Sequence, residues 1–102
     1  MIDSFVTFVI DQLAELGDVR YRAMFGGFGL YCGPAFFGIV YDERLYFKTD
    51  ERSAADYVAR GMAPFQPNDR QTLRNYYEVP SEIVDDRDQL LRWAGEALRL
   101  AL

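Results

Sequence analysis

Gly26, Gly27 and Gly29 stand among large apolar residues in the stretch Met24 to Tyr31, the arrangement in this chain closest to a ligand cradle. Bare backbone of this kind lets an anion approach main-chain N–H groups. The spacing fits neither the dinucleotide fingerprint nor a Walker loop. No Lys-Ser or Lys-Thr follows, and the next residues read as a strand rather than a helix. The glycines therefore read first as a bend or break between Tyr21 and Cys32, since Gly in a strand interior marks a bulge, a bend or a close backbone approach. The alternative is a small-ligand or enzymatic pocket near the bend, bounded by Arg20, Arg22, Gly26, Gly27 and Tyr76.

Other reactive groups point to less. The chain has no histidine, which removes Ser-His-Asp and Cys-His catalysis, His metal ligands and a His pH switch. Its one cysteine, Cys32, cannot form an internal disulfide and reads as a small apolar residue. The acids Asp42-Glu43 and Asp85-Asp86-Asp88 lack the alternating spacing and central glycine of a calcium loop. The first pair reads as a hairpin tip, the second group as a helix N-terminus where carboxylates are favoured. No nucleophile with an adjacent base stands out. The expectation is no catalytic residue, no metal and no cofactor.

These residues belong to a chain of 102 amino acids, half of them hydrophobic and 16% aromatic, enough for one domain with its own core. The net charge of −5 argues against direct nucleic-acid binding, which rests on neutralising phosphates. All the basic residues but Lys48 are arginines, and they form no run. No apolar run approaches the roughly 20 residues of a membrane span. The Met1 to Ser4 start has neither a basic region nor a cleavage site, so a cytoplasmic location without signal peptide or membrane contact is expected.

The positioning elements follow from periodicity. A helix is expected from Ser4 to Leu16, with Phe5, Val9, Leu13 and Leu16 at helical spacing, Asp3 or Ser4 as cap and Gly17 at the exit. Alternation predicts a strand over Val19 to Met24 and another over Phe28 to Cys32, joined into one or broken by Gly26-Gly27. Gly33-Pro34 makes a turn. Ala35 to Tyr41 and Arg44 to Lys48 form the clearest hairpin, with Asp42-Glu43 at its tip. A two-residue loop pairs Val40 with Leu45 and Gly38 with Phe47. Phe36, Gly38, Val40, Leu45 and Phe47 then share a core face, and Phe37, Ile39, Tyr41, Arg44, Tyr46 and Lys48 share the other. A second helix over Glu51 to Arg60 carries Asp50 as cap and turns Ala54, Tyr57 and Val58 inward. Short strands follow at Ala63 to Gln66 and Leu73 to Val79, then a turn capped by Ser81. A last helix over Arg87 to Leu100 opens with Asp86 and Gln89 as a capping box and buries Leu91, Ala94 and Leu98.

The order helix, three strands (four if the glycines break the first), helix, two strands, helix predicts a two-layer α+β fold, an antiparallel sheet with helices on one face. The other face is left open. Phe37, Tyr41, Arg44, Tyr46 and Lys48 place aromatic rings with a charged rim there, the composition of a partner surface. Association through this face, including self-association to a dimer, is the expected mode of action.

Three stretches also carry a resemblance. Met24-Phe25-Gly26-Gly27-Phe28-Gly29-Leu30-Tyr31, then Leu45-Tyr46-Phe47-Lys48-Thr49-Asp50, then Tyr76-Tyr77-Glu78-Val79-Pro80 ahead of a helix with Leu91, Trp93 and Ala94, closely resemble the N-terminal domain of the TfoX/Sxy family. The likeness covers nearly the whole chain. It implies a two-layer fold of order α-β-β-β-α-β-β-α, similar to type III secretion chaperones, with the glycine segment inside the first long strand. It also implies a regulatory role in natural competence, exercised through a protein partner; full-length members act with the cyclic-AMP receptor protein at competence promoters. Those members carry a second, helical C-terminal domain. The sequence stops at Leu102, directly after the last helix, so a stand-alone N-terminal domain is expected. The family supplies no established catalytic residues.

Overall fold

A computed structural model describes residues 4–24 and 26–102. Asp3, one of the two expected caps of the first helix, and Phe25, in the glycine stretch, lie outside the described residues. Helix α1 runs Ser4–Gln12 and strands β1 to β4 run Val19–Met24, Gly27–Cys32, Ala35–Tyr41 and Arg44–Lys48. Helix α2 (Glu51–Ala59), strands β5 (Pro64–Asn68) and β6 (Gln71–Glu78), and helices α3 (Ser81–Val84) and α4 (Arg87–Ala101) complete it. The fold is α+β: a six-stranded antiparallel sheet of order β1-β2-β3-β4-β6-β5 with the helices on one face. Among the described residues no helix is long and apolar enough to cross a membrane.

The glycines divide the first strand rather than bend it. Met24 pairs with Gly27, so the chain reverses across two residues, with Gly26 in the left-handed region at φ 82°. Gly27 then approaches β3 closely. A Cβ there would stand 2.3 Å from the Val40 carbonyl oxygen, which no side chain fits. The second hairpin has the expected register, Gly38 opposite Phe47 and Val40 opposite Leu45. Its tip reverses with Asp42 at φ 52° and Glu43 at φ 58°, the backbone of a type I′ turn. Neither residue is glycine, and each pays about 1 kcal/mol or more for that conformation.

The helices bind the sheet through one core. Val6, Val9 and Leu13 of α1, Tyr57 of α2, Ile83 and Val84 of α3, and Leu90, Ala94 and Ala97 of α4 pack against Leu30, Phe37, Val40, Leu45 and Phe47. The caps that start α2 and α4 are those the sequence indicates. Asp50 accepts from Ser53 N at 2.8 Å while Ser53 Oγ accepts from Asp50 N at 3.0 Å. Asp86 accepts from Gln89 N at 3.1 Å and from its side-chain amide at 2.9 Å, a cap without the reciprocal bond to the Asp86 backbone that the expected box would have. Other details differ from expectation: Ser81, expected as a cap, is the first residue of α3, and Pro80 precedes it without a side-chain cap bond. Regular α1 ends at Gln12, and tighter turns carry the chain to Leu16. Gln12 is buried and donates to the Val84 carbonyl at 3.0 Å, tying α1 to α3. On α4 the buried stripe is Leu90, Ala94 and Ala97, with Leu91 and Leu98 at its margin.

Candidate functional site

The helix-free face of the sheet is built from strands alone, and a bulge decides which side chains reach it. Between β2 and β3 the register shifts: Leu30 faces Gly38, but Tyr31 faces Phe36, leaving Phe37 as the extra residue. A bulge of this kind exchanges the faces of the residues around it. Phe37 therefore turns to the helices, fully buried against Phe47 with ring centroids 6.0 Å apart. Phe36 takes the helix-free face. The expected partner surface is corrected accordingly: Phe37 is core and Phe36 replaces it.

The rest of that surface divides in two. Tyr41 and Tyr46 are covered by β5. Phe65 comes from that edge strand and packs edge-on to Tyr41 at 5.4 Å and tilted against Tyr46 at 4.7 Å, although β6 and β4 lie between β5 and β3 in the sheet. The bulges around Pro64 and Phe65 allow the edge to curl over. Tyr41 Oη donates to the Pro67 carbonyl at 3.4 Å and closes the flap. Tyr46 is 7% exposed as a result, where an open face was expected. Burial pushes its hydroxyl pKa up, Glu78 adds to this, and nearby Arg44 works against it. Arg44 remains exposed beside Glu78 at 3.9 Å, a pair on the rim.

The other half stays uncovered and holds a ladder of rings closed by a cation at each end. The Arg22 guanidinium lies 5.9 Å from the Tyr31 ring centre. Tyr31 stacks on Phe36 at 5.1 Å, and Phe36 lies tilted against Tyr76 at 5.4 Å. Lys48 Nζ stands 5.4 Å over the far ring, Tyr76. Five strands thus contribute one side chain each. Tyr31 and Phe36 are half-buried, Arg22 is exposed and Tyr76 is buried. Burial, with Tyr31 adding to it, pushes the Tyr76 hydroxyl pKa up to about 12. The row of rings is part-exposed at Tyr31 and Phe36, with positive charge at each end.

The residues proposed for a pocket at the glycine bend do not converge. Arg20 and Arg22 line a depression of about 420 Å³ with Tyr21, Tyr31, Gly33 and Pro34. Gly26 and Gly27 lie at the opposite end of the β1–β2 hairpin. The space a Gly27 side chain would need is filled by Val40 and Tyr41. Tyr76 reaches Arg22 only through Phe36 and Tyr31. Cys32, the lone thiol, is half-buried against the helix-side core.

A larger groove escaped sequence reasoning. About 720 Å³ lies between α2 and β6, lined by Ala54, Ala55, Val58, Arg74 and Tyr77. Val58, expected inward, is 57% exposed at its rim. Thr49 lies beneath it with a buried hydroxyl that has no hydrogen-bond partner among the described residues. The small side chains of Ala54, Ala55 and Ala59 were the only signal.

Comparison with known proteins adds to this geometry. The model of the TfoX N-terminal domain matches residues 11–101. Protein Sxy of Escherichia coli (strain K12) is 30% identical over 94 residues, which are 90% of this chain and 45% of that protein. DNA transformation protein TfoX1 of Aliivibrio fischeri (strain ATCC 700601 / ES114) is 31% identical over 86 residues, 82% of this chain and 41% of that protein. The chain thus spans less than half the length of these relatives.

Proposed function

The chain belongs to the TfoX N-terminal domain family, and from that premise we propose that it is a non-enzymatic regulatory domain that works by binding a protein partner in the cytoplasm. One observation carries the reading. The uncovered half of the helix-free face joins Arg22, Tyr31, Phe36 and Lys48 in one strip, and Tyr and Arg are the residues that dominate binding energy at protein interfaces. The strip suits a protein better than a nucleic acid. Bases bind single-strand platforms by stacking on free ring faces, and here Tyr31 and Phe36 stack on each other while Tyr76 is buried. The net charge of −5 opposes a polyanion as well.

A relative is named as a DNA transformation protein, so the process this domain serves is the regulation of competence, through control of transcription by way of that partner. The test is a chimera in which this chain replaces the matched segment of the Aliivibrio fischeri protein. Transformants should be recovered with the parent chimera and lost when Tyr31→Ala and Lys48→Glu are introduced together, with thermal unfolding still cooperative. An inactive parent chimera, or a variant as active as its parent, would overturn the reading.

A further inference from the structure

The two edges of the sheet are treated differently. β5, at one edge, carries Pro64 and Pro67 and two register shifts, devices that stop an edge from pairing with another strand. β1, at the other edge, has neither. Val19–Met24 is paired residue for residue with β2, without a bulge, and its outer side pairs with no strand. Four of its six residues are exposed, and Tyr21 shows 44% of its surface. Charge guards this edge: Arg20 and Arg22 on the strand, and Asp18 in the bend just before it, paired with Arg20.

That charge pattern is complementary to itself in one register. We propose that two copies of this chain join through β1, antiparallel, about a two-fold axis at Arg20. In that register the strands pair over Val19 to Tyr21, and Asp18, in the bend before the strand, comes beside Arg22 of the partner subunit, as Arg22 comes beside Asp18 of the partner subunit. Val19 lies opposite Tyr21 of the partner subunit on the helix side, covering the exposed ring. Directly opposed residues in an antiparallel pair share a face, so both helical layers stay on one side of a doubled sheet. The two Arg20 side chains meet at the axis, each already held by its own Asp18 at 3.1 Å. Shifting the axis to Tyr21 would set Arg20 against Arg22 of the partner subunit twice, and like charges directly opposed are destabilising. Shifting it to Arg22 leaves Asp18 without a cation. An axis between residues would put the helical layers on opposite sides and Arg side chains against the apolar Tyr21 and Ala23. The charges thus exclude a generic strand and the wrong registers while admitting this one. The interface adjoins the aromatic strip and shares Arg22 with it, but it does not rest on the function proposed above.

The experiment is light-scattering mass on the purified chain, with circular dichroism to follow the fold. The wild type should have twice the 11.8 kDa chain mass. Asp18→Arg and Arg22→Asp should each fall to the monomer mass, because each sets like charges together twice. The double variant, with the two charges exchanged, should return to the dimer. A monomeric wild type, single variants that stay dimeric, or a double variant that stays monomeric with its secondary structure intact would each overturn the proposal. Arg22 also ends the aromatic strip beside Tyr31, so the readouts are kept apart by Asp18→Arg, which leaves every strip residue in place: loss of the dimer mass with transformants retained separates failure here from failure in the transformation assay.

Discussion

The two halves of the helix-free face are made of the same material and end in opposite states. On one side Tyr41, Tyr46 and Phe65 close on each other beneath the curled β5 edge, and Phe65 is fully buried. On the other, Tyr31, Phe36 and Tyr76 lie in a row that stays partly open, finished by Arg22 and Lys48. The difference is what closes each group of rings. A ring from a bulged edge strand excludes water. A cation at each end satisfies the ring electrostatics and leaves Tyr31 and Phe36 half-exposed. Aromatic composition alone does not distinguish a second core from a binding surface; the terminating residues do.

Breaking the closed half should cost most. Phe65→Ala removes a fully buried ring from the flap and should lower stability by roughly 3–5 kcal/mol in denaturant unfolding. If Phe65 were surface decoration, the midpoint would hardly move. Tyr76 comes next because it joins the two halves. Its hydroxyl pKa is raised to about 12 against an ordinary 10, so its neutral form is favoured by folding. The stabilisation is whole below pH 10 and is lost as pH rises from 10 to 12. Stability measured across that window should fall more steeply in wild type than in Tyr76→Phe, by on the order of 2 kcal/mol at its top. Tyr57, also raised by burial, is common to both proteins and drops out of the difference.

Phe36→Ala opens the ladder in the middle. Loss of a half-buried ring with two ring partners should cost about 2 kcal/mol, less than Phe65→Ala. An equal or larger loss would mean that the uncovered half is core as well. Lys48→Ala should change stability by less than about 1 kcal/mol, as expected of a cation–π contact made by a half-buried lysine at the surface. A larger change would make Lys48 structural rather than a contact residue.

The sequence signals and the structure part company at particular residues. The Phe36–Lys48 hairpin was legible, because a two-residue tip and strict alternation leave a single register, and Val40 does pair with Leu45. The bulge in the same strand was not. Phe36 and Phe37 are identical, so alternation has no way to say which one faces the helices. One inserted residue moved Phe37 to the core and Phe36 into the strip. The flap was hidden for another reason. A tertiary contact between Phe65 and Tyr41, on strands not adjacent in the sheet, has no trace in local pattern. The family likeness placed the glycines within one long strand, whereas Gly26 at positive φ reverses the chain and Gly27 makes room for β3. Arg20, Arg22 and Tyr76 were singled out for a pocket. Two of them, Arg22 and Tyr76, do share a feature, but it is a ladder spread across the sheet.

The most direct test of the account sets the two halves against each other in the transformation chimera. Tyr31→Ala with Lys48→Glu, on the open half, is compared with Tyr41→Phe, which removes only the flap hydrogen bond to Pro67 on the closed half. The account predicts that transformants are lost with the first and retained with the second, both proteins folded. Retention with the first, or equal loss with both, would contradict the assignment of the open strip as the working surface.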